Sequence, residues 1–467
     1  MASQPARGTR DFLPDDVRKR EHVTSIIRRV YESHGFEALE TPCFERLETL
    51  LGKYGEEGDQ LLFKVLLRGQ PLVSGIRQAA ELLERSGTVV HGRSGETAPA
   101  AEQRLSDLGL RYDLTVPLAR VVAAHQGKLP AVFKRYQIQP VWRADTPGKG
   151  RFREFYQCDV DVIGSSSLLV EAEVASAACE CMQRLGFASF RVRLNHRLLL
   201  KAVMQRAGIA AHQQLAAITA LDKLDKIGLP GVEKELLARG IESASCTRLL
   251  EIVGESASMV TMREQLSGSD LGRQALSDVD RVLELAALTP AARHLEFDVS
   301  LARGLGYYTG CIFEIAVPDL AGSLGAGGRY DGLIGMFLGK DMPACGISLG
   351  LERILVVMQE RGMFPAAMAH ADVVLSATHE DDLGAALVLS QKLRSAGLRV
   401  DLRPKATKPG PLRKYADARG VVSAVWFERG QADHLKIWRK ERGVLGGDLS
   451  PEALLTELIR PNQAPSG

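Results

Sequence analysis

A β-strand alternates its side chains between two faces, and the stretch GRFREFYQCDVDVIG, residues 150–164, gives one of those faces charges of both signs. The polar residues of that face are Arg151, Arg153, Gln157, Asp159 and Asp161. Guanidinium groups match phosphates in charge and geometry. Unpaired charges on a dry face would cost several kcal/mol each. The face is therefore expected to pair its charges, to be wet, or to hold a ligand of mixed charge.

The preceding stretch, VFKRYQIQPVWRAD at residues 132–145, predicts the partner strand of a hairpin, because TPGKG between the two has the composition of a loop. Its polar face carries Arg135, Gln137, Gln139, Arg143 and Asp145. The two polar faces are expected to form one surface. A solvent-exposed sheet with cross-strand Arg–Asp pairs, each worth at most about 1 kcal/mol, accounts for this pattern as well as a binding site does.

Four further stretches favour the binding site. LRYDLTVPLAR places Asp113 and Thr115 two residues apart, where they are able to orient an ammonium group. LARGLGYYTGCIFE brings Arg303 to a glycine-flanked turn next to two tyrosines, and GISLGLERI opens a helix that carries Arg353. GAGGRYDG, residues 325–332, offers backbone that a ligand is able to approach closely, since glycine has no Cβ.

The chain is long enough to require more than one hydrophobic core: 467 residues predict two or three domains. Its 45% hydrophobic and 25% charged residues argue against a disordered or fibrous protein. Seven scattered cysteines without a C-x-x-C pair predict reduced thiols and no metal site. The chain has neither an apolar N-terminal segment of signal-peptide length nor a membrane-length apolar run, and we expect a cytoplasmic location.

The elements that position these residues change in type along the chain. Residues 69–106 have weak periodicity and are expected to form a partly helical excursion from the sheet. Residues 200–290 read as helix almost throughout and predict an inserted helical module. After about residue 370, alternating strand and helix patterns predict a separate α/β domain with a largely parallel sheet.

One locally basic segment lies in this last region. Six basic residues stand against one acid, Asp401, and they are Arg399, Arg403, Lys405, Lys408, Arg413 and Lys414. The net charge of the whole chain is only +2, so a nucleic-acid ligand would depend on such local clusters. The segment is either a phosphate-binding surface or an ordinary solvated one.

In this order, the stretches resemble the class II aminoacyl-tRNA synthetases. FEALETPCFE, centred on Pro42, is similar to the first motif of that class, the hairpin of residues 132–164 to the second, and GISLGLERIL to the third. RGLGYYTG and GRFREFYQCDVDV resemble signatures of the histidyl-tRNA synthetase family, as does RGTRDFLP near the start. The resemblance covers nearly the whole chain.

The resemblance implies an α+β catalytic domain at residues 1–365, built on an antiparallel sheet with flanking helices and holding the helical insertion. It implies that residues 371–467 form an α/β domain of the anticodon-binding type. For ATP it implies Arg143 at the α-phosphate, Arg353 at the γ-phosphate, Arg151 as a further clamp and Asp145 near the adenine.

For histidine, the resemblance implies two groups of residues. The amino and carboxylate end would contact Asp113, Thr115 and Gln157, with Arg143 and Arg303 neutralising charge at the reacting phosphate. The imidazole would contact Asp161, Tyr307, Tyr308 and Tyr330. Arg303, Arg143 and Gln157 would be the catalytic residues. Two positions depart from the family pattern: Gly306 stands where an Asp is frequent, and Asp161 where many members have Glu.

The implied activity is ATP-dependent ligation of L-histidine to tRNA(His), with Mg²⁺ and a homodimeric protein. Two alternatives share the frame. A non-catalytic regulatory paralogue would bind histidine without activating it. It would need neither arginines that bind a triphosphate nor an anticodon-binding domain. A synthetase for another amino acid would lack RGLGYYTG.

Overall fold

The computed structural model describes residues 4–85, 101–254, 257–302, 306–318, 320, 322–365, 368–445 and 448–459. The chain divides into two compact units, Met1–Arg361 and Gly362–Gly467. Among the described residues, no helix combines the length and the apolar character needed to span a membrane.

The first unit is built on an eight-stranded sheet with the order β1-β5-β6-β11-β10-β9-β7-β8. Five of its seven strand pairs are antiparallel, and the edge pairs β1–β5 and β7–β8 are parallel. Its strands are β1 (Glu37–Ala38), β5 (Phe133–Trp142), β6 (Glu154–Ile163), β7 (Arg191–His196), β8 (Leu295–Phe297), β9 (Cys311–Ala316), β10 (Gly325–Arg329) and β11 (Ala344–Gly350).

Helices with an apolar stripe pack against this sheet. α1, for example, begins at Pro14 and buries Val23, Ile27, Val30 and Tyr31, the 4, 3, 1 spacing of one helix face. Helices in the first part of the chain include α1 (Pro14–Ser33), α2 (Leu47–Leu50), α3 (Gly55–Gln60), α4 (Gln70–Arg85), α5 (Thr115–His125) and α6 (Leu169–Arg184).

A second, three-stranded sheet has the order β2-β4-β3, with β2 (Phe44–Arg46), β3 (Lys64–Leu66) and β4 (Ser106–Leu110). EALETPCFE, residues 37–45, has the sequence of one short strand that Pro42 keeps at an edge or bulge; in the structure, β1 and β2 instead flank a connection that contains Pro42. The buried Arg111 donates to the carbonyl oxygens of Thr41 (2.6 Å) and Pro42 (3.3 Å), and these bonds replace ladder pairing in the connection. Of the predicted excursion at 69–106, residues 86–100 lie outside the described part of the chain.

Between β7 and β8 the described residues form helices and 3₁₀ turns, as expected for a helical insertion. The helices are α7 (Arg197–Arg206), α8 (Gln214–Leu221), α9 (Leu224–Ala238), α10 (Ser243–Val253), α11 (Met259–Gln265) and α12 (Asp270–Ala286). The 3₁₀ turns are Ala211–Gln213 and Pro290–Arg293. Two further helices complete the first unit, α13 (Asp331–Leu338) and α14 (Leu351–Glu360).

The second unit contains a five-stranded sheet with the order β13-β12-β14-β15-β16 and helices α15, α16 and α17. The elements are β12 (Val373–Ala377), α15 (Leu383–Ser395), β13 (Val400–Leu402), α16 (Pro409–Ala418), β14 (Ser423–Phe427), β15 (Lys436–Arg439), β16 (Gly443–Val444) and α17 (Pro451–Ile459), with a 3₁₀ turn at Glu380–Asp382. The expectation of a largely parallel sheet was wrong for half of it, because β14–β15 and β15–β16 are antiparallel. These two pairs are joined by short connections, which cannot hold the crossover that parallel strands need.

Candidate active site

The hairpin of β5 and β6 forms the floor of the candidate site. Its register places Arg135 opposite Asp161, Gln137 opposite Asp159 and Gln139 opposite Gln157. β11 covers the other edge of β6. The predicted strands are longer than the observed ones: β5 ends at Trp142 and β6 begins at Glu154. The polar residues predicted at the two strand ends therefore lie in the connection, and they are Arg143, Asp145, Arg151 and Arg153.

The floor contains a buried ion pair between Arg135 and Asp161. Arg135 Nη2 lies 2.8 Å from Asp161 Oδ2, and both side chains are almost fully inaccessible to solvent. Tyr330 donates its hydroxyl to Asp161 Oδ1 at 2.5 Å. Burial raises the pKa of Asp161, and the Arg135 guanidinium opposes that rise. Tyr330 and Arg135 thus fix the orientation of this carboxylate.

Two more carboxylates are buried beside this pair with one oxygen each that accepts no hydrogen bond from the described residues. These oxygens are Asp113 Oδ2 and Asp159 Oδ1. Burial raises the pKa of Asp113, and it raises the pKa of Asp159 to about 7, with the Asp161 charge adding to the rise and Arg135 opposing it. Buried unpaired acceptors are costly, so two of them close together indicate room for a ligand that donates hydrogen bonds.

The start of α5 holds Asp113 in place. Its Oδ1 accepts from the hydroxyl of Tyr54 (3.1 Å) and from the backbone N–H of Val116 (3.0 Å), which closes the first turn of the helix. Thr115, the first residue of α5, is partly exposed. On β6, Gln157 donates from Nε2 to the hydroxyl of Ser348 on β11 (2.8 Å), while its Oε1 is buried without a hydrogen-bond partner in the described chain.

Arg143 lies directly after β5 between two aromatic rings. Its guanidinium carbon is 4.2 Å from the centre of the Tyr112 ring and 5.2 Å from that of Phe155, and its Nε donates to the Tyr112 carbonyl oxygen (3.0 Å). Stacking of this kind fixes a guanidinium without using its terminal nitrogens. The terminal nitrogens are the donors that suit a phosphate.

Arg353 lies in the first turn of α14 and donates from Nη1 to the carbonyl oxygen of Ser323 (2.6 Å). Gly322, next to Ser323, has φ +92°, a backbone conformation that favours glycine. In the connection between β5 and β6, Arg151 contacts Asp145 through Nη2 and Oδ1 at 2.5 Å; the Arg151 side chain is 58% exposed. Of the three residues in this connection that the resemblance assigns to ATP, Arg151 and Asp145 therefore contact each other.

The tyrosines of the RGLGYYTG stretch pack against the same site. Tyr307 is buried, and its ring meets those of Tyr308 (4.9 Å between centroids) and Tyr330 (6.1 Å) edge to face. Burial raises the pKa of all three hydroxyls, so they remain protonated donors. Arg303, predicted to be catalytic, lies outside the described residues, and the described Gly306 is exposed.

Sequence reasoning missed several residues that contact and orient the predicted site residues. Gly346 on β11 faces Asp161, and a Cβ there would stand 1.9 Å from Asp161 Oδ1, so only glycine leaves space for the carboxylate. Ser348 and Tyr54 orient Gln157 and Asp113. The alternation pattern identifies Arg135 and Asp159 as polar-face residues but predicts no role for either. The period-two alternation of β5 and β6 is the sequence signal for these two residues. Their burial sets them apart from other polar residues of the strands, and it depends on contacts between residues distant in sequence.

Taken with the fold, the arrangement defines the protein as having a class II aminoacyl-tRNA synthetase-like catalytic unit: an antiparallel sheet with flanking helices, an arginine after the floor strand β5, and an arginine at the strand-to-helix junction of β11 and α14. The sequence model described as "Histidyl-tRNA synthetase" matches residues 8–74 and 78–354. The chain belongs to the histidyl-tRNA synthetase family.

Curated relatives and solved structures agree with this assignment. The chain is 41% identical over 447 residues to "Histidine--tRNA ligase" of Gloeobacter violaceus, covering 90% of each chain. It is 40% identical to "Histidine--tRNA ligase" of Flavobacterium johnsoniae, covering 91% of this chain and 92% of the relative. The crystal structure of histidyl-tRNA synthetase from Nostoc sp. PCC 7120 superposes with a TM-score of 0.78 at 28% identity, covering 98% of this chain and 99% of that one.

Proposed function

We propose that this chain activates L-histidine with ATP to form histidyl-adenylate and then transfers the histidyl group to tRNA(His). The observation that supports it most is a pair of buried acceptors: Asp113 Oδ2 and Asp159 Oδ1 accept no hydrogen bond from the described residues. Buried carboxylates with unpaired oxygens fit a ligand with cationic donors. The α-ammonium and the imidazole of histidine supply such donors.

In this proposal the floor binds the amino acid. Asp113, Thr115 and Gln157 hold the amino end and orient the carboxylate. Asp161 and the hydroxyl of Tyr308 contact the imidazole. Tyr330 acts through Asp161, to which it donates, and Tyr307 packs against both tyrosines. An apolar substitute for histidine would leave these buried groups without partners, which disfavours it by several orders of magnitude.

ATP is proposed to lie beside the hairpin connection. Arg143 binds the α-phosphate and contacts the histidine carboxylate, while Arg353 binds the γ-phosphate. Arg151 and Asp145 would exchange their mutual contact for contacts with the nucleotide. Mg²⁺ is proposed to enter with ATP, because triphosphate oxygens and one or two carboxylates are its usual ligands in such sites. The described residues contain no cluster of three or more potential metal-binding side chains.

The proposed chemistry needs no protein nucleophile. A carboxylate oxygen of histidine attacks the α-phosphorus, and the bond to the bridging oxygen breaks as pyrophosphate leaves. Arg143 and Arg303 would offset the charge of two anions brought together, so positioning and electrostatics supply most of the rate. In the second step a terminal ribose hydroxyl of the tRNA attacks the histidyl carbonyl carbon, and AMP leaves.

The remaining expectations are also part of the proposal. Residues 371–467 would read the anticodon, the protein would act as a homodimer in the cytoplasm, and the segment around Pro42 would contribute to the dimer interface. The exposed apolar residues Phe44 and Leu66, on strands β2 and β3, are compatible with a covered surface at this place.

Pyrophosphate exchange into ATP tests the proposal directly. We expect the purified protein to exchange pyrophosphate when histidine is supplied and not when proline, threonine or glycine replaces it. Exchange with one of those amino acids would indicate a different specificity. Histidine binding without any exchange, measured by calorimetry, would indicate a regulatory protein instead.

A further inference from the structure

A cavity of about 410 Å³ opens between the first two helices of the insertion and the segment that carries Tyr308. α7 contributes Arg197 and Lys201, and α8 contributes Leu215 and Ile218. Of the described residues that we assign to ATP or histidine, only Tyr308 lines it. The cavity is therefore a separate feature that borders the proposed imidazole site through one shared ring.

The polar side of the cavity is cationic. Arg197 Nη1 is buried and has no hydrogen-bond partner among the described residues, and burial lowers the pKa of this guanidinium. Lys201, one helical turn later on the same face of α7, is exposed. No carboxylate of the described chain lines the cavity. Arg197 as a whole is half-buried, and a partly desolvated guanidinium without a counter-ion is costly, so a bound anion would complement it.

The other side of the cavity is apolar and open. The Leu215 side chain is 62% exposed although it faces the cavity, and Ile218 and the Tyr308 ring continue the apolar surface. Two cations next to an apolar wall suit a ligand with an anionic group and a flat apolar group. A nucleotide combines them, since its phosphate pairs with arginine and lysine and its base packs on apolar or aromatic side chains.

We propose that this cavity binds one nucleotide of the single-stranded 3′ end of the tRNA, with the phosphate on Arg197 and Lys201 and the base against Leu215 and Tyr308. The inference rests on the proposed function, in which the terminal ribose must reach a histidyl group held beside Tyr308. A nucleotide bound across that ring is well placed to guide the acceptor end to the carbonyl. A free mononucleotide such as AMP has the same chemistry, so the experiment must separate the two.

The test uses the full-length variants Arg197→Gln, Lys201→Gln and their combination. Arg206→Gln is the matched control, because Arg206 lies on the same helix, is exposed and does not line the cavity. We measure histidine-dependent pyrophosphate exchange, which needs no tRNA, and the KM for tRNA in aminoacylation at several salt concentrations. The combined variant is expected to raise the KM for tRNA roughly tenfold and to lower the log–log salt slope by about 0.7 per lost contact. Exchange should stay within about twofold.

The alternatives give different results. An unchanged KM for tRNA in the combined variant would overturn the proposal, and so would a parallel loss of pyrophosphate exchange. If the variants relieve inhibition by added AMP without changing the KM for tRNA, the ligand is the free nucleotide and the proposal is wrong. Lys201→Gln keeps the test valid if Arg197→Gln unfolds, because Lys201 is exposed. Absence of histidine-dependent exchange in the parent protein would instead contradict the proposed function itself.

Discussion

The buried carboxylate of Asp159 lowers the stability of the ligand-free protein in a place where a ligand could bind. Its carboxylate is buried on β6 between Gln157 and Asp161, and Oδ1 accepts no hydrogen bond from the described residues. The nearest guanidinium, Arg135, is 3.9 Å away and is already paired with Asp161. The protein therefore holds a charge that its own described side chains do not fully compensate. A donor on the ligand would remove this cost.

Replacement of Asp159 by Asn should stabilise the ligand-free protein at high pH. Burial raises the pKa of Asp159 from 3.8 to about 7. Between these two pH values Asp159 is ionised in the unfolded chain but still protonated in the folded protein, so the folded protein loses stability as the pH rises. Asn cannot ionise. We expect the stability gain of Asp159→Asn over the parent to grow by on the order of 2 kcal/mol between pH 5.5 and pH 8, measured by urea unfolding without histidine.

Asp107→Asn is the control for this prediction, because Asp107 is an exposed aspartate on β4. Its effect on the free energy of unfolding should be small and the same at both pH values. A gain for Asp159→Asn that does not change with pH would show that Asp159 is not the titrating group.

Strand β7 holds the segment that leads to Arg303. Arg193 donates to Asp298 (2.6 Å) and Ser300 (2.9 Å), and Asn195 donates from Nδ2 to the carbonyl oxygens of Val299 (2.9 Å) and Leu301 (2.8 Å). Arg193 also contacts Glu314 on β9 and Asp225 on α9. One buried guanidinium thus joins the sheet, the helical insertion and the segment before the predicted catalytic arginine.

Arg193→Gln should destabilise the first unit strongly. The substitution leaves buried or half-buried carboxylates without their cation, and loss of one partner from such a network typically costs about 3–5 kcal/mol. Arg191→Gln is the matched control on the same strand, since Arg191 is 58% exposed and pairs with an exposed Glu296 at 3.5 Å. Its effect should stay within about 0.5 kcal/mol. Urea unfolding of both variants measures the difference, and equal effects would contradict the role given to Arg193.

The elements also show what the sequence was able to predict. Period-two alternation identified β5 and β6 as a hairpin with a shared polar face, because side-chain direction is a local property. The insertion of β11 between β6 and β10, and the use of Gly346 to make room for Asp161, depend on pairing across almost 200 residues. The predicted strands are too long at these ends. The backbone N–H of Arg143 donates to the Arg153 carbonyl oxygen, but the N–H of Arg153 donates to the Gly8 carbonyl oxygen, so the regular ladder stops here.

The second unit has a cationic surface that only partly matches the predicted basic segment. Arg399 pairs with Asp372 (2.7 Å), and the Arg403 guanidinium lies 3.8 Å from the centre of the Tyr415 ring. The remaining exposed cations are Lys405, Lys408 and Lys414, and they form no ion pair with the described residues. These lysines are the ones that are available to phosphates.

Replacing those three lysines together by Gln should weaken tRNA charging and leave amino-acid activation intact. Each lost phosphate contact removes a sequence-independent share of affinity and about 0.7–0.9 from the log–log salt slope. We expect the KM for tRNA to rise roughly tenfold, while histidine-dependent pyrophosphate exchange remains within about twofold. The matched control replaces the same lysines by Arg, which keeps the charge and should keep the KM. A parallel fall of both reactions would mean that the segment supports the fold of the enzyme rather than its contact with tRNA.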